Sequence, residues 1–311
     1  MRFRYLAFTV FLLIPFLFMA GCIDDAHTDG DLRFRDPLGA DVVLDRYPER
    51  IVTLSPALTE TVFALGLGSL IVGTDDMSNY PDGAGDLPDV FTYLGLDPES
   101  LISVDPDLVI MDKTLDISEE AYNSIRDLGI PVYRIYPRNV SEVLEAINGI
   151  GTITGASEAA EEMVEDLLDR MTAVQTEVSV WKEEQRPKVL LVSYYDGTGD
   201  PWVSTDSTMA GGLIETAGGR NVIADDSGIV VQVPVETIVG ADPDIIICTQ
   251  SEVWPTPTRD TILADDGWKD IGAVVSGRVF EVDGDLVDRT GPRFIHGLET
   301  IHDRISDYVG E

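Results

Sequence analysis

Leu96-Asp-Pro-Glu-Ser-Leu-Ile-Ser-Val-Asp-Pro-Asp-Leu-Val-Ile-Met111 and Val233-Pro-Val-Glu-Thr-Ile-Val-Gly-Ala-Asp-Pro-Asp-Ile-Ile-Ile-Cys248 are one phrase written twice, 137 residues apart. Glu99 falls on Glu236, and Asp105-Pro106-Asp107 falls on Asp242-Pro243-Asp244. Each copy reads as a short helix, a proline-bearing turn and an apolar strand. Strands that are apolar on both faces suit a parallel sheet covered by helices. The duplication therefore predicts an α/β chain of two similar lobes, each with a central parallel sheet. Two lobes enclose a cleft.

Around the first copy, Arg50–Ser55 reads as a strand, Leu58–Leu65 as a helix closed by Gly66 and Gly68, and Ile71–Thr74 as the next strand. That is a βαβ unit. Asp76–Gly95 is rich in loop residues. Ser118 is placed to cap a helix running to Leu128, followed by a strand over 131–136 and a helix over 140–154. Around the second copy the order returns, with strand 188–194, helix 209–217, strand 221–223, helix 260–266, strand 278–282 and a last helix over 292–308. Between the halves, Ser157–Glu184 contains neither proline nor glycine and spaces its apolar residues three or four apart. It predicts one long helix that joins the lobes and limits their motion; packing wholly on the first lobe is the other reading. The expected division is 36–156 for the first lobe, 157–184 for the connecting helix and 185–311 for the second lobe.

The first residues read as an address. Arg2 and Arg4 precede an apolar run that ends Met19-Ala20-Gly21-Cys22. The run is short for a membrane span and resembles a lipoprotein signal with its lipobox, so residues 1–22 are read as signal peptide, Cys22 as the lipidated residue and 23–35 as a tether. A retained anchor helix is the alternative, and both put the chain on the outer face of the cell membrane. Cys248, the other cysteine, ends an apolar strand and reads as a buried small hydrophobe. The formal net charge is -35, and only Lys113, Lys182, Lys188 and Lys269 are lysines. Such acidity repels nucleic acid and anionic lipid.

Ligands of open α/β sheets bind beyond the carboxyl ends of the strands. That position selects Ser55, Tyr80 and Tyr93 from the first half and Tyr194, Trp202, Trp254 and Arg293 from the second. Aromatic rings offer flat area and the polar groups offer orientation, which suits a large ligand with a ring system. No zinc-hydrolase, nucleophile-elbow, phosphate-loop or dinucleotide motif is present, so no catalytic residue, resident metal or intrinsic cofactor is expected. His296 and His302, six apart on one helix, do not share a face, although His296 alone could reach the cleft. Glu99 and Glu236 form either a two-point acidic docking pattern for a partner's arginines or a pair of helix-start carboxylates favoured by the helix dipole.

Taken together these segments resemble the ABC-importer solute-binding proteins of the helical-backbone class, which bind cobalamin, ferric siderophores and heme. Their look is most similar to the vitamin B12-binding branch. The resemblance covers about residues 50–308. It rests on Arg50-Ile-Val-Thr-Leu-Ser-Pro-Ala-Leu-Thr-Glu60, Ile71-Val-Gly-Thr74, Ser78-Asn-Tyr-Pro81 and Pro292-Arg293. It implies a receptor, not an enzyme, that hands a corrinoid to an ABC permease dimer with its ATPase. It also implies that Glu99 and Glu236 dock onto permease arginines. Tyr93 aligns with a cleft tryptophan of that branch. The second-lobe aromatic of that branch aligns near Val230, so stacking area is lost there. Arg289, Arg293, Arg259 and Lys113 would suit a ferric hydroxamate or catecholate carrier instead. An extracellular enzyme or a sensor or adhesion module on the same scaffold is the remaining expectation to test.

Overall fold

The computed structural model describes residues 31–113, 118–251 and 257–310. The signal segment with Cys22, the tether up to Gly30, and Trp254 lie outside the described residues. The tether read to residue 35 is too long. β1 (Leu32–Arg35) pairs antiparallel with β2 (Asp41–Leu44). Leu32 and Phe34 turn inward onto the core while Arg33 and Arg35 face out, a period of two that four residues carry too briefly to stand out. The turn is tied by Asp36, whose Oδ1 accepts the Ala40 N–H at 2.7 Å.

The first lobe follows with β3 (Ile51–Leu54), α1 (Pro56–Ala64), β4 (Ile71–Asp75), β5 (Asp89–Thr92), β6 (Gly95–Leu96), α2 (Pro98–Ser103), β7 (Leu108–Asp112), α3 (Ser118–Asp127), β8 (Val132–Ile135) and α4 (Val140–Thr154). Its sheet runs β6-β5-β4-β3-β7-β8, with only the edge pair β5–β6 antiparallel. After α5 (Ser157–Val178) the second lobe holds β9 (Lys188–Tyr194), β10 (Trp202–Val203), α6 (Met209–Thr216), β11 (Arg220–Asn221), β12 (Val231–Gln232), α7 (Val235–Ala241), β13 (Ile245–Gln250), α8 (Thr258–Ala264), α9 (Gly272–Val275), β14 (Val279–Asp283) and α10 (Phe294–Gly310). Here the order is β12-β10-β9-β13-β14, and β11 pairs with β9. The parallel cores β4-β3-β7-β8 and β11-β9-β13-β14 correspond strand for strand. The expected central parallel sheets are present, flanked by antiparallel pairs, β5 with β6 in the first lobe and β10 with β9 and β12 in the second.

The duplicated D-P-D turn is a clamp. Asp105 and Asp242 end their helices in the left-handed region, at φ 43° and 48°, the non-glycine residues there among those described. Aspartate tolerates that conformation better than most residues. The second aspartate of each turn then grips the strand beside it. Asp107 accepts the backbone N–H groups of Glu49 and Arg50, both at 2.9 Å, and its own N–H donates to the Arg50 carbonyl at 2.9 Å. Asp244 accepts the N–H of Lys188 at 2.8 Å and donates back to the Lys188 carbonyl at 2.8 Å. The two basic residues close the loop, Arg50 on the Val104 carbonyl at 2.7 Å and Lys188 on the Ala241 carbonyl at 2.6 Å. Replacing Asp107 with Ala is expected to cost about 1.5–3 kcal/mol and replacing Asp244 less, since one carboxylate serves two donors and the other one. Denaturant midpoints of the two variants measure this, and equal losses would contradict it.

Three clusters make up the core. One belongs to the outer face of the first sheet, around Val52, Leu101 and Ile125. Another belongs to the second sheet, around Leu190, Ile246 and Trp268. The largest is shared, running from Leu58 and Ile147 through Leu167 to Leu213, Phe294 and Ile301. α5 lies in it, packed on α4 of the first lobe and on α6 and α10 of the second. A Cβ at Gly151 would stand 2.4 Å from that of Ala160, so glycine is what lets α4 and α5 approach. The long helix stops at Val178, short of the expected Glu184. Tertiary packing ends it: Trp181 leaves the helical line to stack on His302, ring centroids 5.5 Å apart, and crowds Gly218.

Candidate cleft between the lobes

The carboxyl ends of the strands of both lobes meet a cavity of about 400 Å³, walled by Pro56 and Met77 of the first lobe and by Tyr194, Thr249, Asp288 and Arg289 of the second. Its rim is built by a charge cluster that crosses from lobe to lobe. α1 begins at Pro56, with the Ser55 hydroxyl accepting the Leu58 N–H at 3.4 Å. One turn on, Glu60 is buried. Its carboxylate receives Arg293 through Nε at 2.8 Å and Nη2 at 2.6 Å, and Arg289 through Nη1 at 2.8 Å. A planar guanidinium matches a carboxylate in this forked way. Arg289 also reaches Asn79 Oδ1 at 3.0 Å and Asp285 at 2.9 Å, and the Arg293 guanidinium lies 3.9 Å from the centre of the Tyr80 ring. The hydrogen bond and charge of Glu60 raise the Arg293 pKa further.

Beneath this cluster sits a chain of buried hydroxyls. Thr59 Oγ1 lies 2.7 Å from Thr53, 2.8 Å from Thr74 and 2.9 Å from Ser78, and Ser78 donates to Asp75 at 2.6 Å. Burial raises the Asp75 pKa despite that bond. The chain fixes α1, which carries Glu60, against the 76–80 loop, which carries Asn79 and Tyr80.

Asp288 differs from its neighbours. Its carboxylate opens to the cleft and has no ion pair or side-chain hydrogen bond among the described residues. Asp288 is exposed to the cleft, but the protein crowding it from both sides disfavours its charge and Asp285 adds repulsion, so its pKa is pushed up to about 7. Between the ordinary aspartate range and that value, the folded chain holds a proton that the unfolded chain releases. Stability is therefore expected to fall as pH rises from about 4 to about 7. Asp288→Asn should flatten that slope in thermal melts recorded across the same range, and an unchanged slope would remove Asp288 as its source.

The candidates named from sequence fall into groups. Arg293 binds Glu60 and lies over Tyr80, while Ser55 caps the helix that carries Glu60. Tyr194 and Trp202 stand directly opposite each other on β9 and β10, with Gln232 next in the row. Direct cross-strand partners share a face. The two residues are 42% and 40% exposed. The Tyr194 hydroxyl donates to Asp196 at 3.0 Å, which raises its pKa. Tyr93 sits apart at the β5–β6 turn and is 79% exposed. Arg259 is turned to the Val279 carbonyl at 3.0 Å. His296 points to α5, with Nδ1 3.1 Å from Arg170 Nη2. In the sequence Glu60 stands at the end of the candidate stretch 55–60 without a role of its own, and Asp288 is passed over. The first had a signal, a carboxylate inside the otherwise apolar or hydroxylic turn Ala57–Val62.

Glu99 and Glu236 are exposed, each in the first turn of its helix. Both helices end in the clamp at the far edge of their sheet, so the two carboxylates hold equivalent places on the two lobes. Cys248 is buried, and desolvation pushes its thiol up to about 12, which keeps it protonated.

Residues 51–286 match the family described as periplasmic binding protein. An uncharacterized ABC transporter substrate-binding lipoprotein of Bacillus subtilis is 29% identical over 306 residues, covering 94% of this chain and 95% of that protein. A cobalamin-binding protein of Halobacterium salinarum is 28% identical over 266 residues, covering 83% and 69%. Among solved structures, the periplasmic heme-binding protein of Roseiflexus sp. RS-1 superposes with a TM-score of 0.74 at 26% identity, covering 84% of this chain and 99% of that one. With a match across most of its length and two lobes facing a cleft, the chain belongs to the periplasmic binding protein family.

Proposed function

We propose that this chain is the extracytoplasmic receptor of an ABC importer, that it captures a corrinoid in the cleft between its lobes, and that it delivers the ligand to the permease dimer and its ATPase. The observation that carries the reading is the cleft itself: a cross-strand aromatic pair, a hydroxyl-lined cavity and a cross-lobe rim at the carboxyl ends of two matched sheets. A cavity of about 400 Å³ takes one edge of a macrocycle and leaves the rest to the rim aromatics. The cobalamin-binding relative supports a corrinoid. Lipidation at Cys22 would hold the receptor on the outer face of the membrane, in keeping with the lipoprotein relative. Glu99 and Glu236 are the proposed docking pair, one per lobe.

Heme or a ferric chelate is the second reading, favoured by Tyr93. Its exposed phenol stands at the tip of a turn, and a phenolate is a known ligand of haem iron. Titration of the purified soluble chain with cobalamin, cobinamide, heme and ferric hydroxamate or catecholate complexes, followed by absorbance and native mass, decides between them. Tight binding of a corrinoid alone supports the first reading. Binding of heme with a charge-transfer band lost in Tyr93→Phe supports the second. In either case Tyr93→Ala is expected to weaken binding by about tenfold, ~1.4 kcal/mol, the scale of one aromatic stacking contact. Unchanged affinity would take Tyr93 out of the site.

A further inference from the structure

The cleft was expected to offer its ligand basic residues, and the structure accounts for both of the arginines on its rim. Arg293 gives both of its forward hydrogen bonds to Glu60 and its face to Tyr80. Arg289 is divided among Glu60, Asn79 and Asp285. Glu60 and Asp285 answer the two guanidiniums, Asp288 opens to the same cavity as a further carboxylate, and Asp283 lies behind at the end of β14. Among the described residues, the cavity wall beside Asp288 adds hydroxyls from Ser193, Tyr194, Thr249 and Ser251 and the apolar Pro56 and Met77. We infer that Glu60 sets the charge selectivity of the cleft. By holding both arginines it leaves Asp288 to meet the ligand, so the cleft takes neutral or cationic ligands edged with hydrogen-bond donors and turns away anionic ones. This rests on the cleft being the ligand site, as proposed above, and adds which chemical edge the ligand presents there.

The physical argument is short. A guanidinium bonded to a buried carboxylate has its charge answered, so the N–H groups that Arg293 keeps beyond the two given to Glu60 draw an incoming anion only weakly. Above its titration near 7 the Asp288 carboxylate is ionised and only accepts, so it favours an amide N–H or an ammonium and repels a carboxylate or catecholate oxygen. In a narrow cleft between low-dielectric walls that preference is amplified. Removing the charge of Glu60 would free two guanidiniums and shift the local balance toward positive. The same cleft would then accept acidic edges. Glu60 is thus a specificity residue that acts through the arginines and need not touch ligand.

The test compares matched ligand pairs at low ionic strength: a corrinoid with peripheral amides against the same corrinoid with those amides hydrolysed to carboxylates, and a ferric trihydroxamate bearing an ammonium against its succinylated form. Affinities are read by absorbance titration at about pH 8.5, where Asp288 is ionised, for the wild type, Glu60→Gln and Asp288→Asn. The wild type is expected to prefer the amide or ammonium member of a pair by about tenfold or more. Glu60→Gln is expected to erase or invert that ratio. Asp288→Asn leaves the cluster around Glu60 in place and should reduce the ratio in the same direction, which keeps the test usable if the first variant folds poorly. Equal binding of both members by the wild type, or an unchanged ratio in the variants, overturns the assignment. If the hydroxamate pair shows the ratio while no corrinoid binds, the corrinoid reading fails and the role of Glu60 stands. If the wild type binds no member of either pair, the cleft reading and the role of Glu60 fall together.

Discussion

Uptake of ligand is expected to drop to background when Glu99 and Glu236 are both replaced by Lys, while the purified variant binds ligand as the wild type does. The two carboxylates are exposed and occupy equivalent positions on the two lobes. A partner that grips both must present two basic sites at the matching distance. Charge reversal replaces attraction by repulsion at each, and breaking one desolvated charge pair costs about 2–5 kcal/mol. Each single reversal should therefore weaken docking strongly, and the double variant should lose it. Vesicles carrying the permease and ATPase, supplied with loaded receptor, give the uptake rate; a ligand titration of the same preparation gives the affinity. Normal uptake by the double variant would end the docking assignment. Loss of ligand affinity would move the glutamates into the cleft. The wild-type effect should weaken with added salt, since exposed charges are screened over about 10 Å at 0.1 M.

Replacing Glu60 with Ala is expected to cost about 3–5 kcal/mol of stability, the range found when one member of a buried ion cluster is removed. Glu60 is buried, and the guanidiniums it receives are nearly so. Its loss leaves two partly desolvated cations with only Asp285 to answer them. Glu60→Gln should cost less, because an amide oxygen still accepts one of the hydrogen bonds. The measurement is the denaturant midpoint of each variant with the slope m checked for constancy. A loss of less than about 1 kcal/mol for the alanine variant would show that the cluster is a surface pairing of little weight.

The sequence carried the lobes because the repeat joins three local signals in one register: a helix start at Asp97-Pro98, a turn at Asp105-Pro106-Asp107 and a strand of unbroken apolar residues. Each is set by neighbours in the chain. What escaped was set by distant ones. Leu32–Arg35 becomes a strand only because Asp41–Leu44 is there to pair with it. The end of α5 depends on where His302 offers a face to Trp181. Most of the site had the same difficulty. Tyr80 and Arg293 were both legible as cleft residues by their place after strands, yet nothing in the chain says that Glu60, far away in sequence from Arg293, takes its guanidinium. Asp288 is one aspartate among very many, and only the cavity singles it out.

The core shared by the two lobes has a consequence for how the molecule comes apart. The helices that cover the inner flank of one sheet are packed against those of the other, with α5 between them. A fragment ending at α4 would carry an open apolar flank, and so would one beginning at β9. The halves, alike as they are, have given up the ability to stand alone. Heating or denaturant should thus melt both in a single cooperative transition, with the calorimetric and van't Hoff enthalpies in agreement. A lesion deep in one lobe, such as Leu213→Ala, should lower the protection of backbone amides in the other.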